Sequence, residues 1–164
     1  MINQIETQIV SLVDTIAKQG VTIATVESCT GGMLSQYLTA KAGSSLWFLG
    51  ALVTYSNQSK IKLASVSEVS LSKYGPISQC VAEEMSSGGA KIFNSDICVS
   101  ITGLAGPSGD GINPIGTVWI SWSTNKSTHS KVFYLDGNRL EIRLRAVLEA
   151  CNGINKMIKD LKLK

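Results

Sequence analysis

Three polar segments and a pair of arginines carry the residue types that chemistry needs. The first segment is Glu27-Ser28-Cys29-Thr30-Gly31-Gly32, set between a β-branched apolar stretch and an amphipathic one. Ser28 or Thr30 there can cap a helix. The adjacent glycines lower helix propensity and let main-chain N–H groups approach a ligand closely. A helix start of that kind suits an anion, either a phosphate or a developing oxyanion. A serine between strand and helix is also where several hydrolase classes keep a nucleophile, although this is not the Gly-x-Ser-x-Gly elbow. The second segment is Tyr55-Ser56-Asn57-Gln58-Ser59-Lys60. It reads either as a packed tyrosine with a surface lysine or as a reactive pair. Desolvation would make Lys60 a neutral amine base, with Tyr55 donating to or orienting the reacting group. The third segment runs from Thr102 to Gly116, continuing into Thr117. Loops of that length are binding loops or disordered ones. Asp110 within it is a turn residue, and without companion carboxylates it makes a poor metal site.

Arg139 and Arg143 fall in the first turns of a C-terminal helical pattern, where the helix macrodipole disfavours cations. A bound phosphate would account for them, and so would a tertiary ion pair. Arg145 has a local explanation in Glu141, four residues earlier in the favourable order.

Other chemistries find little material. The single histidine, His129, sits in the polar run 124–130 and suits a solvated turn or strand end. A Ser-His-Asp or Cys-His mechanism therefore lacks its base. Cys29, Cys80, Cys98 and Cys151 are far apart and form neither a zinc spacing nor a secreted disulfide framework, so no metal or cofactor is expected. The net charge of +3 is spread along the chain, without the basic block that tracks nucleic acid. No apolar run reaches membrane length, and Met1 opens an amphipathic segment, not a signal peptide. A cytoplasmic protein is expected.

The elements that must position these residues follow from periodicity. Ile2, Ile5, Ile9, Leu12, Val13 and Ile16 predict a helix stopped by Gly20. Val21–Val26 predicts a strand, Met33–Lys41 a helix, Leu46–Tyr55 a buried strand and Ser56–Ala64 a short helix. After Tyr74-Gly75-Pro76, Val81, Met85 and Ile92 line a helix over Ser78–Phe93. Strands are predicted at Asp96–Ile101, Thr117–Ser123 and Lys131–Leu135. The last helix spans Arg139–Lys162, with Leu140, Leu144, Val147, Leu148, Cys151, Ile154, Ile158 and Leu161 as its apolar stripe. Asn138 and Glu141 have capping-box spacing at its start. Alternating helices and strands predict an α/β chain, a layered α/β/α single domain over 1–164 with helices packed on a mixed sheet.

Taken together, these segments resemble the C-terminal domain family of competence/damage-inducible protein A (CinA). The resemblance runs from about Val21 to Ala146. It rests on Glu27-Ser-Cys-Thr-Gly-Gly32, Gly43-Ser-Ser45, Val53-Thr-Tyr-Ser-Asn57 with Lys60, Gly103-Leu-Ala-Gly-Pro107, Gly116-Thr-Val118, and Gly137-Asn-Arg139 with Arg143. Each signature is weak alone, and the ordered set is specific. Asn138 stands where many members carry an acid, and Ile115 where a valine is common.

The resemblance implies the stand-alone amidohydrolase form, without the amino-terminal domain of longer members. The implied reaction converts nicotinamide mononucleotide to nicotinic acid mononucleotide and ammonia, in pyridine nucleotide salvage. By the same resemblance Ser28 is the nucleophile, with Tyr55, Lys60 and Thr102 completing the catalytic constellation. Glu27, Thr30, Gly31, Gly32, Gly103, Ala105, Gly106, Arg139 and Arg143 contact the substrate. Main-chain N–H groups at Thr30–Gly32 are the expected oxyanion donors. A homo-oligomer is expected, with neither nucleic acid nor membrane as partner. The alternative is an inactive nucleotide-binding module of the same family, or an amidohydrolase for another small amide. A binding module has no reason to keep Ser28, Tyr55 and Lys60 together.

Overall fold

The computed structural model describes residues 1–162. Its order is α1 (Ile2–Ile16), β1 (Ile23–Glu27), α2 (Met33–Thr39), a 3-10 turn (Ser44–Leu46), β2 (Phe48–Val53), α3 (Asn57–Ala64), α4 (Glu68–Tyr74), α5 (Gln79–Phe93), β3 (Ile97–Gly103), β4 (Thr117–Ser123), β5 (Thr128–Tyr134) and α6 (Arg139–Lys162). The strands form one sheet in the order β2-β1-β3-β4-β5. β2, β1 and β3 run parallel, while β4 and β5 add as antiparallel strands. The sheet is mixed, as expected, and helices cover both of its faces.

Side-chain alternation along the strands creates two cores. Ile23 of β1, Ile97, Val99 and Ile101 of β3, and Val118, Ile120 and Trp122 of β4 point to the face covered by α1, α2 and α6. Ala24, Val26 and Cys98 point to the opposite face, against Val81 and Met85 of α5 and Ala64 of α3. From α1, Ile5, Ile9, Val13 and Ile16 are buried. Each such side chain contributes about 1.5–3 kcal/mol by leaving water, so this helix is anchored well beyond its intrinsic propensity.

Helix α5 lies close to its neighbours because Gly88 and Gly89 face them. A methyl at Gly88 would overlap the Ala64 carbonyl, and one at Gly89 would meet Val26 and Cys98. That close approach fixes α3, and with it Lys60, against the sheet.

Several local expectations need correction. Glu68–Tyr74 is helical, capped by the Ser67 hydroxyl, although it had no assigned element. Its short seven-residue length leaves too few apolar positions for a period to show. β5 begins at Thr128 and not at Lys131, and His129 stands exposed at this strand end, as expected, opposite Trp122. Leu140 is exposed, and the buried stripe of α6 instead begins at Ile142 and includes Ala146, Ala150 and Met157. The capping box of α6 is present. The Asn138 side chain accepts from the N–H groups of Leu140 and Glu141, and the Glu141 carboxylate accepts from Asn138 N–H. With Glu141 so engaged, Arg145 forms no ion pair with it; among the described residues the one ion pair is Lys41–Asp14. Arg145 donates to the Met1 sulfur instead. None of the described helices is long and apolar enough to cross a membrane.

Candidate active site

Three strand ends converge on the residues of interest. β1 ends at Glu27, and the main chain stays locked to both neighbours there. Thr54 N–H donates to Glu27 C=O, and Ser28 N–H donates to Ile101 C=O. The chain leaves β1 for β2 through α2 on one face and returns from β2 to β3 through α3, α4 and α5 on the other. A crevice beyond the carboxyl ends of parallel strands opens where such connections diverge. Ser28 lies in that crevice.

Lys60 reaches Ser28 from α3. The Ser56 hydroxyl accepts from Ser59 N–H and so sets the start of this helix. One turn later the Lys60 side chain points inward and is 2% exposed. Its Nζ lies 3.0 Å from Ser28 Oγ and 2.9 Å from the Thr54 carbonyl oxygen, donating to both. No carboxylate among the described residues pairs with it. Burial therefore disfavours the ammonium form and lowers its pKa from the ordinary 10.5 to about 8. A lysine so placed is largely protonated at pH 7 but gives up its proton at little cost, as a general base must. The neighbouring Cys29 thiol goes the other way: burial pushes it up to about 12, so it stays protonated.

A cavity of about 340 Å³ opens over this pair. Ser28, Lys60, Thr102, Gly103, Ala105, Gly106, Tyr55 and Arg139 all line it. Asn57, Pro76, Ile77 and Leu104 line it too, and these were not singled out in the sequence. Pro76 and Ile77 enter because the α4–α5 connection folds over the ends of the strands, which no local pattern announces. Asn57 stands inside a quoted signature, so a signal for it existed.

The expected residues take different places around this cavity. Thr102 is 1% exposed and its hydroxyl donates to the Pro76 carbonyl at 2.7 Å, so it ties the α4–α5 connection to β3. Tyr55 lies at the rim, 60% exposed, and its hydroxyl accepts from the Arg139 guanidinium at 2.9 Å, not from Lys60. Arg139 also donates to the Gly106 carbonyl at 2.6 Å and so bridges two walls of the mouth. The loop after β3 is ordered at its ends. Leu104 N–H donates to Thr117 C=O and Gly116 N–H to Leu104 C=O, pinching it at its base. Asp110 forms the expected turn, accepting from Ile112 and Asn113, which holds its carboxyl below the ordinary value.

The Ser28 turn is capped otherwise than expected. Neither Ser28 nor Thr30 caps α2; its N-cap is Gly32, at φ +95, a left-handed conformation that glycine adopts without strain. The Glu27 carboxylate does the capping, accepting from the N–H groups of Gly32, Leu34 and Ser35 and from the Ser35 hydroxyl. Glu27 is fully buried and absent from the cavity wall. Gly31 N–H donates to Ser28 C=O and Gly32 N–H to Glu27, so of the expected oxyanion donors only Thr30 N–H has no acceptor among the described residues. Arg143 points away from the cavity, its Nε and one terminal nitrogen donating to the Cys29 and Thr30 carbonyls. Thr30 is fully buried behind the turn and is no part of the cavity wall.

The comparison with known proteins agrees with this architecture. The family model for the CinA C-terminal domain matches residues 4–158. The chain belongs to the CinA C-terminal domain family. A CinA-like protein of Petrotoga mobilis is 42% identical over 151 residues, 92% of this chain and 38% of that protein. Another, from Thermotoga neapolitana, is 42% identical over 85% of this chain and 34% of its own length. The chain thus spans little more than a third of these relatives. Among solved structures, a CinA superfamily protein of Klebsiella pneumoniae superposes with a TM-score of 0.89 at 26% identity, covering 95% of this chain and 98% of that one. One from Escherichia coli has a TM-score of 0.85 at 31% identity, covering 93% and 90%. The match to the CinA domain thus covers nearly all of the described residues.

Proposed function

We propose that this CinA domain hydrolyses the carboxamide of nicotinamide mononucleotide to nicotinic acid mononucleotide and ammonia. The observation that carries the reaction class is the Ser28–Lys60 pair, 3.0 Å apart and buried at the floor of a cavity. An amide needs a nucleophile, a base to activate it and an acid for the departing amine. Neutral Lys60 takes the Ser28 proton as Oγ attacks the carboxamide carbon, and the resulting ammonium returns it to the leaving nitrogen. Ammonia departs, leaving an ester on Ser28. Lys60 then takes a proton from water, whose oxygen attacks the ester carbon, and returns it to Ser28 Oγ as the acid is released. The Thr54 carbonyl holds Nζ in place through both halves.

Thr30 N–H remains available as an oxyanion donor beside Ser28. On the other wall, Ala105 and Gly106 line the cavity, and their main-chain N–H groups have no acceptor among the described residues. The nucleotide part of the reading rests on the CinA resemblance and on Arg139, whose guanidinium at the mouth suits a phosphate. A cavity of this volume suits a small molecule. The test is ammonia release from nicotinamide mononucleotide, beside nicotinamide and nicotinamide riboside. Release from the mononucleotide at a rate well above the other two is expected. Tight binding without release would instead mark the domain as a nucleotide-binding module.

A further inference from the structure

We infer that Glu27 and Arg143 are positioning residues that clamp the Ser28 turn, one through its N–H groups and the other through its carbonyls, and hold Oγ against Lys60. The inference rests on the reading of Ser28 as the nucleophile, but not on the identity of the substrate. The turn between β1 and α2 must expose a serine and then reverse into a helix of only seven residues. A short helix has little cooperative stability of its own and would fray at its start. Two glycines in the turn, Gly31 and Gly32, add backbone freedom that Ser28 would inherit. Something has to remove that freedom.

Two charged side chains do so, each addressing the groups that match its sign. The Glu27 carboxylate accepts from Gly32 N–H at 3.0 Å, Leu34 N–H at 3.1 Å and Ser35 N–H at 2.8 Å. These are orphan donors at the positive end of α2. Glu27 itself is fixed in the sheet, because its carbonyl accepts from Thr54 N–H. Arg143 donates to the carbonyls of Cys29 at 3.1 Å and Thr30 at 2.7 Å. Its placement near the start of α6, unfavourable for the macrodipole, is offset by these two acceptors. An N-cap serine would have capped α2 more simply, without burying a carboxylate. A glutamate one residue before Ser28 does something a cap cannot: it ties the start of the helix to the strand end that carries the nucleophile.

The closing experiment labels Ser28 with phenylmethanesulfonyl fluoride and follows the adduct by mass spectrometry between pH 6.5 and 9.5. In that reaction Oγ forms a bond to sulfur, fluoride leaves, and Lys60 takes the proton. Glu27→Gln replaces one acceptor oxygen by a donor facing other donors, and Arg143→Lys cannot span both carbonyls. Each should lower the plateau labelling rate by about ten- to a hundredfold, the size of effect that small misplacement of a reacting atom produces. The inflection near pH 8 should stay, because Lys60 remains buried. Leu38→Ala, a cavity in the same helix remote from the turn, should cost stability without changing the labelling rate of folded protein. If Glu27→Gln or Arg143→Lys does not fold, Arg143→Ala with added methylguanidinium should recover labelling. Wild-type labelling rates in folded clamp variants would overturn the inference, as would no labelling of Ser28 in the wild type, or no recovery with methylguanidinium. Labelling with no turnover of nicotinamide mononucleotide would sink the proposed substrate and leave the clamp standing. Where turnover occurs, kcat should fall with KM unchanged; a rise in KM alone would mark Arg143 as a phosphate contact and overturn its positioning role.

Discussion

Replacing Lys60 by Met should separate the cost of this lysine from its use. Folding lowers its pKa from 10.5 to about 8, a difference worth about 3 kcal/mol at 1.36 kcal/mol per unit. The sign follows from proton binding. Between pH 8 and 10.5 the unfolded chain holds this proton and the folded one does not, so stability rises with pH across that window. Below pH 8 the lysine is charged in both states, and the folded state carries the full penalty. Lys60→Met removes the penalty but leaves the Thr54 carbonyl without its donor, at a cost of about 1–3 kcal/mol. At pH 7 the variant should therefore be at least as stable as the wild type, although it should have lost turnover. Urea unfolding of both proteins at pH 7 and pH 10 provides the assay, since the other titrating groups are common to the two. The wild type should gain about 2.5 kcal/mol relative to the variant over that range. In the same window its kcat/KM should rise about tenfold from pH 7 to pH 9, tracking the neutral amine. Parallel stability curves, or a kcat/KM that is flat across pH 8, would refute the assignment of Lys60 as a desolvated base.

Ser28→Ala should abolish turnover while leaving the fold intact by circular dichroism, because among the described residues the one side-chain partner of Oγ is Lys60. Cys29→Ser should leave kcat within a few-fold in the same assay, the thiol being held protonated by burial. Arg139→Ala should weaken calorimetric binding of nicotinamide mononucleotide to the Ser28→Ala protein by about ten- to a hundredfold, the value of a charge-assisted contact. Equal weakening of nicotinamide riboside would mean that Arg139 acts only by bridging Tyr55 and Gly106. Gly153→Ala, ordinarily stabilising inside a helix, should lower the melting temperature, because the new methyl overlaps the Trp122 indole that donates to Ala150. A melting temperature at or above that of the wild type would show that the indole can move aside freely.

What could be read along the chain was whatever short-range physics decides. Period and punctuation placed α1, α5 and α6 closely, because each buries one face, with glycine after α1, asparagine at the end of α5 and a capping pair at the start of α6. The α4 helix escaped because it is short and polar, stabilised by Ser67 and by Glu84 of α5 rather than by a period of its own. The residue types of a serine–lysine hydrolase were also legible, and the order of the family signatures pointed to CinA. Contact between them was not legible. Ser28 and Lys60 are 32 positions apart and meet because β1 and β2 pair in parallel, with Glu27 beside Val53, so both chains turn out of the sheet together. The two arginines show the same limit. Four residues apart on one helix, Arg139 and Arg143 look equivalent in sequence, yet a turn of helix separates them by about 6 Å along the axis. That rise places Arg139 at the cavity mouth and Arg143 behind the Ser28 turn. Sequence determines which groups are available and on which face of an element they stand; the packing of α6 across the strand ends decides which of them a substrate can meet.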